Sequence, residues 1–273
     1  MEAHQIDGNN IVEVYQRVCE IAESVRKNPR PVLLEFLTFR RRGHEEASGT
    51  KYVPKELIES WEEKDPITNF ENHLLSKNIL NEQLLKSIKN DIKNDIQQGL
   101  DIAFNEESIS FEEKSFMEDV YSPFNFKAIK SGVTTSYIRF IDAIQDGLKE
   151  AMSVFDNTII MGQDIAEYGG AFKVTEGFVE LFGNDRVRNT PICESGIVET
   201  AMGLSIGGFK AIVEMQFADF VSSGFNPIVN YLAKNHFRWG EKADVVIRMP
   251  CGAGVGAGPF HSQTNEAWFT TTP

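Results

Sequence analysis

Between residues 11 and 28, Ile11, Val14, Tyr15, Val18, Ala22 and Val25 recur at three- and four-residue spacing and share one helical face. The run Asp7-Gly8-Asn9-Asn10 before them is turn and cap chemistry, so the chain is expected to open at the edge of a helix. Pro29 and Pro31 stop that helix. The nearly unbroken apolar run 32–39 then predicts a strand buried on both faces. Residues 40–50 read as a polar loop, and Pro54 opens a short helix through Trp61. In 81–104, Leu84, Leu85, Ile88, Ile92, Ile96, Leu100 and Phe104 make an amphipathic helix. Residues 105–132 lose this periodicity, carry acidic clusters and end towards Ser122-Pro123. They predict a linker between domains 1–104 and 133–273.

The pattern restarts with a helix over 134–155, striped by Tyr137, Ile141, Ile144, Leu148, Met152 and Phe155. A short buried strand follows at 158–162. A Gly/Ala-rich helix at 195–207 leads into a strand at 210–216, and a helix at 224–238 leads into a strand at 244–249. Strands alternating with helices predict an α/β fold, a mostly parallel sheet flanked by helices, preceded by part of a second α/β domain. Ligands in such sheets collect at the carboxyl ends of the strands, where Gln216 and Pro250 fall.

Composition narrows the function. A net charge of −13 argues against nucleic-acid or anionic-membrane surfaces, which require basic patches. No stretch is long and apolar enough to span a bilayer. The three cysteines, Cys19, Cys193 and Cys251, give neither a metal spacing nor a disulfide framework. A soluble, cytoplasmic protein is expected.

Three blocks carry chemistry. Thr190-Pro191-Ile192-Cys193-Glu194-Ser195-Gly196-Ile197 sets one carboxylate between a proline and an apolar helix. On the residues alone, Glu194 is either an acid favoured by the helix dipole or one placed to meet a ligand. In Glu214-Met215-Gln216-Phe217-Ala218-Asp219-Phe220, Gln216 and Phe220 read as a buried amide and a core aromatic, or as a pocket wall. Gly258-Pro259-Phe260-His261-Ser262-Gln263 places His261 in a Gly/Pro loop, where a solvated histidine is the plain alternative. Gly252, Gly254, Gly256 and Gly258 mimic a dinucleotide fingerprint. Pro259 stands where the helix should open, and no acid follows at about 20 residues, so a close-packed loop is preferred.

In that order, these blocks, with Gly162-Gln163-Asp164 and the run from Tyr168 to Gly177, resemble the beta subunit of the decarboxylating component of 2-oxo acid dehydrogenases. The likeness covers about residues 131–273. Residues 5–104 resemble the carboxyl-terminal part of the alpha subunit, through Leu37-Thr38-Phe39-Arg40 and Gly43-His44. The chain therefore resembles a fused alpha–beta form, truncated at both ends, and its Cys-Glu-Ser-Gly-Ile-Val wording leans to the branched-chain branch.

The resemblance implies a thiamine diphosphate-binding fold and oxidative decarboxylation of a 2-oxo acid, branched-chain before pyruvate. The acyl group would pass to the lipoyl group of a partner dihydrolipoyl acyltransferase. It implies that Glu194 hydrogen-bonds the aminopyrimidine and favours its imino form, and that Ile192 keeps the cofactor bent. By the same resemblance Gln216 and Phe220 would line the pyrimidine pocket, and His261 would manage protons during acyl transfer. Arg40 and His44 face the diphosphate and the reacting centre. Here His44 is followed by Glu45-Glu46, where many relatives carry small polar residues. Mg²⁺ is implied too. No Gly-Asp-Gly metal motif occurs in the chain, so its ligands are expected in a missing N-terminal part, and the isolated chain is expected to be inactive. A homo-oligomer is expected. A transketolase-like enzyme and a non-catalytic assembly fragment are the alternative readings.

Overall fold

The structure, a computed structural model, describes residues 1–45, 47–124 and 132–272. They fall into two compact units, Met1–Ser108 and Ile109–Pro273.

In the first unit, Glu2–Asp7 is a strand, β1, where the hydrophobic pattern gave the edge of a helix. Its residues alternate in polarity only weakly, and what fixes it is pairing. After α1 (Ile11–Lys27), β2 (Val32–Leu37) runs parallel to β1 in the register His4↔Leu34 and Ile6↔Phe36. Asn10 caps α1 by accepting from the Glu13 N–H at 3.2 Å. Helix α1 lies on the His4 and Ile6 face, where the Arg17 guanidinium meets the His4 ring at 3.2 Å. The opposite face leaves Leu33 and Leu37 exposed, so β2 is not buried on both faces as its apolar run predicted. An apolar run is buried twice only where layers cover both sides.

Three helices complete this unit: α2 (Lys55–Glu62), α3 (Pro66–Ser76) and α4 (Glu82–Asn105). Helix α3 escaped the apolar pattern, although its signals are present. Asp65 accepts from the Thr68 N–H at 2.9 Å, and Pro66 takes the first turn, where a missing N–H costs nothing.

Part of the expected linker is helical. Helix α5 (Glu113–Glu118) belongs to the second unit, with Phe116 edge-on to Phe237 at 5.5 Å between ring centroids. Residues 125–131 of that segment lie outside the described residues. Helix α6 (Phe140–Val154) is shorter than the 134–155 expectation. Residues 134–139, rich in Thr and Ser, are non-helical, Tyr137 is exposed, and Arg139 pairs with Asp142 in the first turn instead.

The sheet contains β3 (Thr158–Gly162), β4 (Val187–Asn189), β5 (Lys210–Glu214) and β6 (Val245–Arg248). All are parallel, in the order β4-β3-β5-β6. Between them lie α7 (Phe178–Phe182), α8 (Glu194–Ile206) and α9 (Asn235–Trp239). The four-residue α10 (Gly258–His261) follows β6. Pro259 therefore does not prevent a helical turn there; it sits inside it, at the start. Strand alternation divides the core. Ile160 and Ile212 join Met152, Phe178 and Val187 on one face. Met161, Ala211 and Val213 join Ile197, Val198 and Ala201 of α8 on the other. Each fully buried aliphatic side chain contributes roughly 1.5–3 kcal/mol.

The expected helix 224–238 is broken into a 3₁₀ turn (Ala218–Gly224), a π-helical run (Pro227–Leu232) and α9. Pro227 has no N–H to give the Ser223 carbonyl, which disrupts the regular ladder.

Candidate active site

The carboxyl ends of β3 and β5 and the start of α8 bring four polar side chains into two hydrogen-bonded pairs. Gln163, directly after β3 and almost wholly buried, donates from Nε2 to Glu194 Oε1 at 3.1 Å. Asp164, next in sequence, turns the chain with a φ of 56° and accepts at Oδ2 from Gln216 Nε2 at 3.2 Å. Glu194 is the first residue of α8 and half-buried, so its carboxylate sits at the positive end of the helix with one oxygen held by an amide. Glycine is required at Gly162, because a Cβ there would lie 2.7 Å from the Glu214 carbonyl oxygen.

Beside Gln216, the 3₁₀ turn and α10 build an aromatic clamp. The His261 ring stacks on Phe217 with centroids 4.1 Å apart and planes at 17°, and Phe220 meets it edge-on at 5.4 Å. His261 Nδ1 lies 2.9 Å from Asp219 Oδ1. The loop carrying His261 is pinned by Asn265 Nδ2, which donates to the Ala218 carbonyl at 2.8 Å, and by Ser262 Oγ, which accepts from the Ala257 N–H at 3.0 Å.

The segment 168–177 closes over this side. Phe172 and Lys173 both have positive φ, 58° and 61°, and Phe172 sits edge-on to Phe217 at 6.0 Å. Strained non-glycine backbone of this kind persists only where its surroundings hold it. The holder is Glu214, 1% exposed at the end of β5. One oxygen accepts from the Ala171 N–H at 3.1 Å, and the other is paired with the Arg248 guanidinium. A Cβ on Gly170 would approach Glu214 Oε1 to 3.0 Å.

Of the residues singled out from sequence, Glu194, Gln216, Phe220 and His261 belong to this edge of the sheet. Ile192 precedes the Glu194 helix and is 83% exposed, an apolar side chain open to a ligand or to solvent. Arg40 and His44 lie in the first unit, on the exposed loop after β2, where the Arg40 guanidinium donates to the His44 carbonyl. Gln163, Asp164 and Asp219 were missed as site members. Gln163 and Asp164 stand in the Gly162-Gln163-Asp164 run and Asp219 in the Gln216 block, so their signal was membership of the runs that carry the resemblance.

The donor set fits a flat heteroaromatic ring. It offers a carboxylate, amides, aromatic faces and an exposed isoleucine, all at strand ends. Among the described residues, no group of three or more His, Cys, Asp or Glu is placed to hold a metal ion.

A parallel sheet flanked by helices, with polar and aromatic side chains at its strand ends, defines the class. The family described as "Transketolase, pyrimidine binding domain" matches residues 136–273, half of the chain, and the chain belongs to it. The family described as "Dehydrogenase E1 component" matches residues 2–111. Similar proteins include the pyruvate dehydrogenase E1 component subunit beta of Leifsonia xyli subsp. xyli, 41% identical over 134 residues, 48% of this chain and 40% of the relative. The mitochondrial 2-oxoisovalerate dehydrogenase subunit beta of Chaetomium thermophilum is 40% identical over 151 residues, 54% of this chain and 32% of the relative. The 2-oxoisovalerate dehydrogenase subunit beta of Bacillus subtilis is 39% identical over 140 residues, 50% of this chain and 43% of the relative. The chain thus spans less than half the length of these relatives. Among the described residues, no helix is long and apolar enough to cross a membrane.

Proposed function

We propose that this chain contributes the pyrimidine-facing wall of a thiamine diphosphate-dependent 2-oxo acid dehydrogenase. The enzyme oxidatively decarboxylates a 2-oxo acid, branched-chain before pyruvate, and passes the acyl group to the lipoyl arm of a dihydrolipoyl acyltransferase. The observation that carries this is the Glu194 carboxylate, anchored by Gln163 at the start of α8, with the next residue of the chain, Asp164, paired to Gln216. Relatives named for both pyruvate and 2-oxoisovalerate support the substrate class.

Thiamine diphosphate, when bound, supplies a carbon centre that accepts the electron pair left by departing carbon dioxide. Glu194 would hydrogen-bond the pyrimidine ring, and its fixed position would favour one protonation pattern of that ring. Ile192 gives apolar contact, and Gln216 and Phe220 line the pocket. His261 moves a proton when the acyl group leaves for the acceptor. Arg40 and His44 are the candidates for diphosphate contact in the first unit, since a guanidinium suits phosphate oxygens.

The test uses the intact protein with thiamine diphosphate, Mg²⁺ and a lipoyl-bearing acyltransferase. Carbon dioxide release and acyl-lipoyl formation are measured with 2-oxoisovalerate and with pyruvate. Turnover of either supports the proposal, and two-carbon transfer between sugar phosphates with no 2-oxo acid turnover replaces it with a transketolase-like reaction.

A further inference from the structure

We propose that Asp219 is the positioning residue that fixes the tautomer and orientation of His261, leaving Nε2 as the nitrogen that exchanges protons. The proton role of His261 rests on the function proposed above; the tautomer does not.

Asp219 and His261 are 42 residues apart and meet because the start of the 3₁₀ turn after β5 lies beside the end of the short α10 after β6. The Asp219 side chain is 13% exposed and that of His261 33%, so the pair is shielded on the aspartate side and open on the histidine side. An ionised carboxylate only accepts hydrogen bonds. At 2.9 Å from Asp219 Oδ1, Nδ1 must therefore carry the hydrogen, and a neutral ring then keeps its lone pair on Nε2. The flat stack on Phe217 and the edge contact from Phe220 hinder the ring flip that would put Cδ2 in place of Nδ1 against Asp219. A histidine that merely fills space needs one such constraint. Here a directional acceptor and two aromatic walls act on the same ring, and among the described residues no partner meets its second nitrogen.

The experiment has two arms. In the first, the chain carries ¹⁵N-labelled histidine, and ring nitrogen shifts are read by NMR without any cofactor. The chain has five histidines, and His261→Gln identifies the signal. The unaltered chain is expected to show the Nδ1–H form. Asp219→Asn, which is nearly isosteric, is expected to show a mixture, because an amide can accept from or donate to Nδ1. Asp219→Glu is expected to restore the single form at least in part. In the second arm, the intact enzyme is assayed for acyl transfer to lipoyl and for decarboxylation with an artificial electron acceptor. Asp219→Asn is expected to lower lipoyl transfer by about 10²-fold, and decarboxylation by less. Identical ring shifts in the unaltered chain and Asp219→Asn, or an Nε2–H form in the unaltered chain, overturn the proposal. A changed tautomer with undiminished lipoyl transfer overturns the proton role of His261 instead, and so locates the failure in the functional reading.

Discussion

Ser195 Oγ donates to the Ser223 carbonyl oxygen at 2.7 Å, and Ser223 is the residue whose α-helical partner would have been the missing N–H of Pro227. The side chain next to Glu194 thus ties the start of α8 to the irregular turn after β5. Gly224 makes the approach close: a Cβ on it would stand 3.4 Å from the Glu194 carbonyl oxygen. Ser195→Ala removes this tie and leaves a carbonyl that water satisfies in part. We expect a loss of about 0.5–1.5 kcal/mol. Urea unfolding of the chain, compared with the unaltered protein, measures it.

Glu194→Gln separates proton chemistry from packing. The amide keeps an oxygen that accepts from Gln163 Nε2, so unfolding should stay within about 0.5 kcal/mol of the unaltered protein. The side chain can no longer ionise, and decarboxylation by the intact enzyme should fall by about 10²-fold or more. Carbon dioxide release under saturating cofactor checks this, and near-normal rates would remove Glu194 from the proposed role.

The strands that bury both faces were legible. β3 and β5 are short apolar runs between turn residues, and their burial follows from helices on both sides. β4 was not legible, because Val187–Asn189 has one buried residue and owes its existence to its pairing with Ile160, Met161 and Gly162. β1 failed for the same reason: partner strands, absent from any local window, decide it. The π-helical run after β5 was read as a plain helix because it is too short for its wider turns to show in the apolar spacing. In the site, Glu194, Gln216 and His261 stood out by residue type and block. Asp219 did not, since an acid one position before Phe220 reads as solvated until the fold brings His261 against it.

An acid-side effect is expected in the first unit. The Glu2 carboxyl is held down to about 2, from an ordinary 4.5, first by its hydrogen bond from Arg30 and then by that from His4. A carboxyl whose folded value is depressed contributes stability that is whole above its unfolded value and fades as pH falls through the folded one. Glu2→Gln should therefore be less stable than the unaltered chain at pH 5. The gap should close as pH drops from 4.5 towards 2. Urea midpoints across that window measure the difference, and a gap that does not change with pH would contradict the assignment.

The buried Glu214–Arg248 pair predicts an asymmetry between its two halves. Arg248→Met strands a carboxylate that is 1% exposed with only the Ala171 N–H to balance it, and should cost about 3–5 kcal/mol. Glu214→Gln leaves Arg248, 15% exposed, able to reach water, and keeps an oxygen for Ala171; about 1–3 kcal/mol is expected. Replacing both, as Glu214→Leu with Arg248→Met, removes the stranded charge and should recover part of the larger loss. The segment 168–177 should report the break separately from global unfolding. Its strained Phe172 and Lys173 are held through Ala171, so Arg248→Met should speed tryptic cleavage after Lys173 under native conditions. Equal costs for the two single variants, with unchanged cleavage, would mean that the pair neither carries a buried charge penalty nor restrains the loop.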